Sequence, residues 1–229
     1  MITPRIFLLR KGQLFTILFA LSIAGCMTPR KMDKFIASQY GNRVPSVSKG
    51  NNDAIKVSSA VPQTGDQISS TVRTSKVLPL IVYWHFDYKT TSTLNPAIPI
   101  NKLTNTILSL GRRKLSPRLN GRQLELSIDQ LPHAFTLDDD EHAVWVIYLF
   151  HWCRLSMLPS GNDMVVGYKL LDGNTTLKTG KVTVKDTERP MPIGMFQSWK
   201  NATSTYIARY NTAINRMSQS VIDQLTEQL

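Results

Sequence analysis

Apolar positions along this chain recur with two different periods. Leu124, Leu126 and Ile128 alternate with Glu125, Ser127 and Asp129, which predicts a strand with one wet face, entered from an Asn120-Gly121 turn. Near the end, Trp199, Tyr206, Tyr210, Ile214, Met217, Val221 and Leu225 are spaced by three, four or seven. That stripe predicts a helix from about Met195 to Gln228, roughly 50 Å long, packed mainly on a core and with part of it overhanging. A third periodic segment places Ile100, Leu103, Ile107, Leu108, Leu110 and Leu115 on one side of a helix with Pro99 in its first turn. Arg112, Arg113 and Lys114 then fall in its last turn, where cations complement the helix dipole.

Two further runs have no period. Val77 to Phe86 is apolar, aromatic and rich in β-branched residues, as is Ala143 to Cys153. Both are too short to span a membrane and predict central strands buried on both faces, the second at the sheet centre. Met164–Leu171 and Leu177–Val184 flank Asp172-Gly173-Asn174, the composition of a hairpin turn. The order of elements implies a two-layer α+β domain. Its mostly antiparallel sheet has about 4–5 strands, with two main helices on one face and water or a cover on the other.

The N-terminal quarter differs. Arg5, Arg10 and Lys11 precede an apolar run from Leu14 to Ala24, the order of a secretory signal. The run closes on Leu21-Ser22-Ile23-Ala24-Gly25-Cys26, which resembles the lipobox of bacterial lipoproteins. The resemblance implies cleavage after Gly25, diacylglycerol and a further acyl chain such as palmitate on Cys26, and a periplasmic domain. Met27, not aspartate, follows the cysteine, which in the enteric sorting rule implies the outer membrane rather than the inner. Several acyl chains on one residue give stable anchoring, at about 0.8 kcal/mol per buried methylene.

From Met27 to Lys76 the composition turns to Ser, Thr, Asn, Gln and Gly, with Pro45 and Pro62. This stretch reads as a flexible tether with a reach of roughly 40 Å. A competing reading is a short amphipathic helix at Met32–Tyr40, lying on the membrane through Met32, Phe35, Ile36 and Tyr40. The expected organisation is therefore 1–25 signal peptide, 26–76 lipidated cysteine and tether, 77–229 folded domain.

Charge narrows the partners. The chain carries 27 Lys and Arg against 16 Asp and Glu. Loss of residues 1–25 removes three basic residues and no acidic ones, leaving 24 − 16 = +8. In the periplasm a basic surface meets anionic lipid, peptidoglycan carboxylates or an acidic protein, and the address argues against nucleic acid. The candidate contact patch is Arg112, Arg113, Lys114, Arg118 and Arg122. With Cys26 acylated, Cys153 has no disulfide partner.

Candidate chemistry is sparse. Asp138-Asp139-Asp140-Glu141 lacks the ligand spacing of a calcium loop and reads as a solvated turn. His151 and Cys153 share a strand face, a spacing compatible with zinc or a nucleophile pair, although a buried histidine and a buried free thiol are the default. His85, His133 and His142 sit beside no hydrolase, zincin or phosphate-binding motif, and no cofactor motif occurs. The expectation is a non-enzymatic accessory lipoprotein of an envelope complex serving lipid transport or secretion. The alternatives are a peptidoglycan-binding or synthase-regulating lipoprotein, and an enzyme using His151 and Cys153. The element order is similar to that of auxiliary lipoproteins of ABC-type lipid transport and of tethered activators of peptidoglycan synthases.

Overall fold

The computed structural model describes residues 28–40, 54–62, 68–78, 82–145, 149–194 and 197–229. Among them are four helices and nine strands, an α+β fold as expected. In chain order these are α1 (Pro29–Gln39), β1 (Ile55–Ser59), β2 (Ile68–Leu78), β3 (Val82–Thr93), α2 (Ala97–Lys114), α3 (Ser116–Leu119), β4 (Gln123–Gln130), β5 (Ala134–Trp145), β6 (Leu149–Pro159), β7 (Met164–Asp172), β8 (Thr175–Val184), β9 (Met191–Pro192) and α4 (Trp199–Gln228).

The strands form two sheets where one was expected, in the orders β1-β4-β7-β8 and β2-β3-β5-β6-β9. Only the β1–β4 pair is parallel. The reason is a long two-stranded ribbon that changes sheet midway: β4 pairs with β7 and β5 with β6, while the chain bends at 131–133 and at 160–163. Irregular pairing between Ile128 and Gln130 sits just before the first bend, where a bulge redirects a strand.

The core lies between the first sheet, the base of the second, and the helices. Leu124, Leu126 and Ile128 alternate into it from β4, as their spacing predicted. The four-step stripe of α4 is buried from Ala202 to Leu225, so this helix of about 45 Å has no free overhang. Its Ser198 cap accepts a hydrogen bond from the Asn201 amide at 3.3 Å. Tyr210 is buried and donates its hydroxyl to the Pro132 carbonyl at 2.8 Å, tying α4 to the first bend. Phe135 and Tyr206 pack beneath that bend with ring centroids 4.9 Å apart and their planes tilted by 41°.

The segment read as a tether is largely structured. Thr28 caps α1, Pro29 occupies its first turn, and Met32 and Ile36 are completely buried. Those two side chains face β2, β3 and α4 of the same domain instead of a membrane; Met32 Sδ accepts the Thr203 hydroxyl at 3.6 Å. Strand β1 completes the first sheet, and most of β2 also comes from this stretch. The signal peptide, Gly25 and Cys26 lie outside the described residues, as do residues 41–53 and 63–67.

Both long apolar runs are also redistributed. Val77–Phe86 is not one strand: it ends β2 and begins β3, which pair antiparallel up to Leu78 and Tyr83. Ala143–Cys153 likewise ends β5 and begins β6. Strand β5 is central in its sheet, but the apolar run itself lies at the end of the ribbon, beyond the core. The acidic run 138–141 is mid-strand in β5, not a turn.

Candidate functional site

The second sheet extends past the helices that cover its base. Near the core one face is buried: Thr90, Ser92, Phe135, Leu137 and Met157 are all shielded. Hydroxyl pairs hold the strands together there, Ser69 with Ser92 at 2.7 Å, Thr71 with Thr90 at 2.9 Å and Thr91 with Thr136 at 2.9 Å. Farther out none of the described helices follows. Arg73 covers the rings of Phe86 and Tyr88 at 5.6 and 5.1 Å, and beyond it the side chains meet water.

Because β3 pairs with β5, with Val82 opposite Trp145, the two hairpins end side by side. Val77, Trp145, Phe150 and Trp152 are each about half exposed there, at 56, 51, 57 and 49 %. Strand alternation puts Val77, Trp84 and Trp145 on one face, and Tyr83, Val144, Phe150 and Trp152 on the other. The end of the sheet is therefore apolar and aromatic on both faces. Residues 79–81 and 146–148, between the paired strands, lie outside the described residues; in sequence they are Pro-Leu-Ile and Val-Ile-Tyr.

Immediately below this tip, one face carries a polar cluster. His85 and His142 are opposite each other on β3 and β5, and their rings stack 4.5 Å apart and 2° from parallel. Asp140, one step down β5 on the same face, places Oδ1 2.6 Å from His85 Nε2 and 3.2 Å from His142 Nε2. Tyr83 Oη lies 2.8 Å from His142 Nδ1, and Trp152 stacks on the far side of that ring at 5.1 Å. Burial alone would raise the Asp140 carboxyl, but hydrogen bonds from the two imidazoles outweigh it and lower it. In the next rows Asp87 and Asp138 each keep one buried carboxylate oxygen without a hydrogen bond. Burial, with the charge of Asp87 adding to it against the counter-effect of Lys89, raises Asp138.

On the opposite face, burial followed by repulsion from Glu141 pushes Asp139 up to about 6, from an ordinary 3.8. The folded chain then holds this proton through a range where the unfolded chain has lost it. Its contribution to stability is full below the ordinary value and is lost as pH rises through 6. Asp139→Asn is expected to stabilise the protein by about 1 kcal/mol at pH 7.5, after discounting for solvent screening, and to change little at pH 3.5. Urea midpoints at the two pH values check this.

The candidates named from sequence fare differently. His151 and Cys153 share a face of β6 as expected, but both are exposed, not buried, because β6 has left the core. Of the basic patch, Lys114 bonds Asp223 at 2.5 Å, Arg118 donates to the Thr226 carbonyl, and Arg122 lies 3.8 Å from Asp172. The first two contacts tie the end of α2 and α3 to the last turns of α4, and the third reaches the end of β7; Arg112 and Arg113 are exposed on the same end. The first sheet's other face is wet and holds an open groove of about 520 Å³ between Ser58, Ser127, Asp129, Lys169 and Lys181.

The chain matches no protein-family model, no curated protein and no solved structure.

Proposed function

We propose that this chain is a non-enzymatic envelope lipoprotein, anchored through Cys26 at the periplasmic face of the outer membrane, whose paired hairpin tips seat in a lipid surface. It serves there as an accessory component of a lipid-transport or secretion complex. One observation carries the docking part: the joint tip of the β2–β3 and β5–β6 hairpins is apolar and aromatic on both faces and is covered by no other described element. A patch that binds a protein is generally one-sided, whereas a wedge entering a bilayer must be apolar all round. Tryptophan and tyrosine suit the headgroup level, having an apolar body and one polar atom. Two rows of a strand are about 7 Å deep, the depth at which interfacial elements sit.

The anchor is tested separately from the tip. Metabolic labelling with a palmitate analogue is expected to mark the full chain and to be lost in Cys26→Ser, while urea unfolding of the domain stays the same. An unlabelled wild type would remove the lipoprotein reading and leave the tip to be judged alone.

The polar groove on the first sheet favours a second reading, a cell-wall factor. Its Lys169 and Lys181 offer cations to peptidoglycan carboxylates, although Lys181 is already 2.8 Å from Asp129. Sedimentation with purified sacculi distinguishes the two.

A further inference from the structure

Two parallel imidazoles both turn Nε2 toward one carboxylate between the hairpins, which gathers three metal-type donors in one place. The donor atoms of His85, Asp140 and His142 all lie within 4.8 Å of one another. A tetrahedral ion with bonds of about 2.0–2.1 Å holds its ligand atoms roughly 3.3 Å apart. Asp140 Oδ1 lies 3.2 Å from His142 Nε2, close to that spacing, and 2.6 Å from His85 Nε2, a contact that must open by about 0.7 Å to admit an ion. The stacked rings must tilt toward each other to share an ion. That is a rotation about their last side-chain torsion, which is broad for histidine.

We propose that His85, Asp140 and His142 form a binding site for one divalent transition-metal ion of the zinc type. The ion takes the place of the protons between the two Nε2 atoms and Asp140, so that two hydrogen bonds give way to three coordinate bonds, one from each residue. Imidazole nitrogen with one carboxylate suits zinc and its neighbours, whereas magnesium and calcium prefer oxygen alone. Tyr83 completes the arrangement from behind. Once Nε2 of His142 ligates, its Nδ1 carries the proton and donates it to Tyr83 Oη, the outer contact that typically orients a ligating histidine. Trp152 walls one side of the ring, while the three side chains remain between 20 and 34 % exposed, leaving a way in and room for water at the remaining positions.

The ion would join β3 of one hairpin to β5 of the other, one row below the apolar tip. It is a bridge between the hairpins, and it stands independently of whether the tip meets lipid.

The experiment uses the full chain in detergent, stripped with a chelator, equilibrated with zinc chloride at about 10 µM and freed of excess. Metal analysis is expected to give one zinc per chain. Asp140→Asn and His142→Gln, each removing a ligand, should each abolish retained zinc, while His133→Gln and His151→Gln leave it unchanged. Cobalt in place of zinc should give the visible absorption of a four-coordinate site. As a readout that needs no variant, zinc should shift the ring signals of His85 and His142 in the wild type and leave those of His133 and His151 alone. Absence of bound zinc, binding that survives Asp140→Asn, or a shift confined to His151 would each overturn the assignment.

Discussion

Replacing Trp145 and Phe150 together by glutamate is expected to release a chain beginning at Met27 from vesicles of phosphatidylethanolamine and phosphatidylglycerol, without altering its thermal midpoint. Both side chains are half exposed already, so the change removes little from the fold. Each ring has about 100 Å² left to bury, which at roughly 25 cal/mol per Å² is about 2 kcal/mol of partitioning lost per site. Placing a carboxylate at the headgroup level of an anionic membrane adds repulsion. Partitioning should fall by at least about tenfold after allowing for the cost of immobilisation. Val72→Glu is the control: Val72 is the most exposed large apolar residue among the described residues, at 64 %, yet sits toward the base of the sheet, so it should bind as wild type does. Wild-type chain that fails to sediment with vesicles, or a double variant that sediments as well as it, would remove the lipid-seating reading.

The second large effect concerns the segment that composition assigns to a tether. Ile36→Ala is expected to cost about 2–4 kcal/mol, because Ile36 is fully buried and its removal leaves a cavity against β2, β3 and α4. A tether residue would cost almost nothing. Ile36→Asp should go further and unfold the domain, since it places a charge in the same site with no partner. A chain starting after residue 40 should fail to fold for the same reason, losing Met32, Ile36 and the edge-on contact of Phe35 with Trp199. Given a total stability of about 5–15 kcal/mol, these losses are decisive, and urea unfolding measures them. An Ile36→Ala midpoint equal to wild type would restore the tether.

Some of this was legible from the residues. Period alone located α4, α2 and β4, since each of these elements hides one face on the core and wets the other. The Asn120-Gly121 and Asp172-Gly173 turns followed from backbone freedom: Asn120, Gly121 and Gly173 all have positive φ, at 49, 81 and 56°. The tether was misjudged because β2 pairs through Ser and Thr with water on much of its surface, so its composition is that of a loop. Helix α1 contributes just two fully buried side chains, too few to impose a period on a polar stretch.

The site was harder to read. An apolar run marks a buried strand only if burial is what made it apolar, and here the runs cross hairpin ends that leave the core. Pro79 was the available warning, since proline is excluded from a central strand; residues 146–148 contain no turn former at all. His85 and Asp140 are 55 residues apart, and no spacing rule connects them.

What the sequence determined by itself is therefore whatever depends on neighbours along the chain: the amphipathic helices, the alternating strand and the glycine turns. What only the tertiary structure decided is whatever depends on register. The β3–β5 pairing sets His85 opposite His142 and aligns the two hairpin ends. The division into two sheets leaves those ends uncovered by any described helix, because strand pairing is a contact between distant segments and burial is a property of the assembled layers.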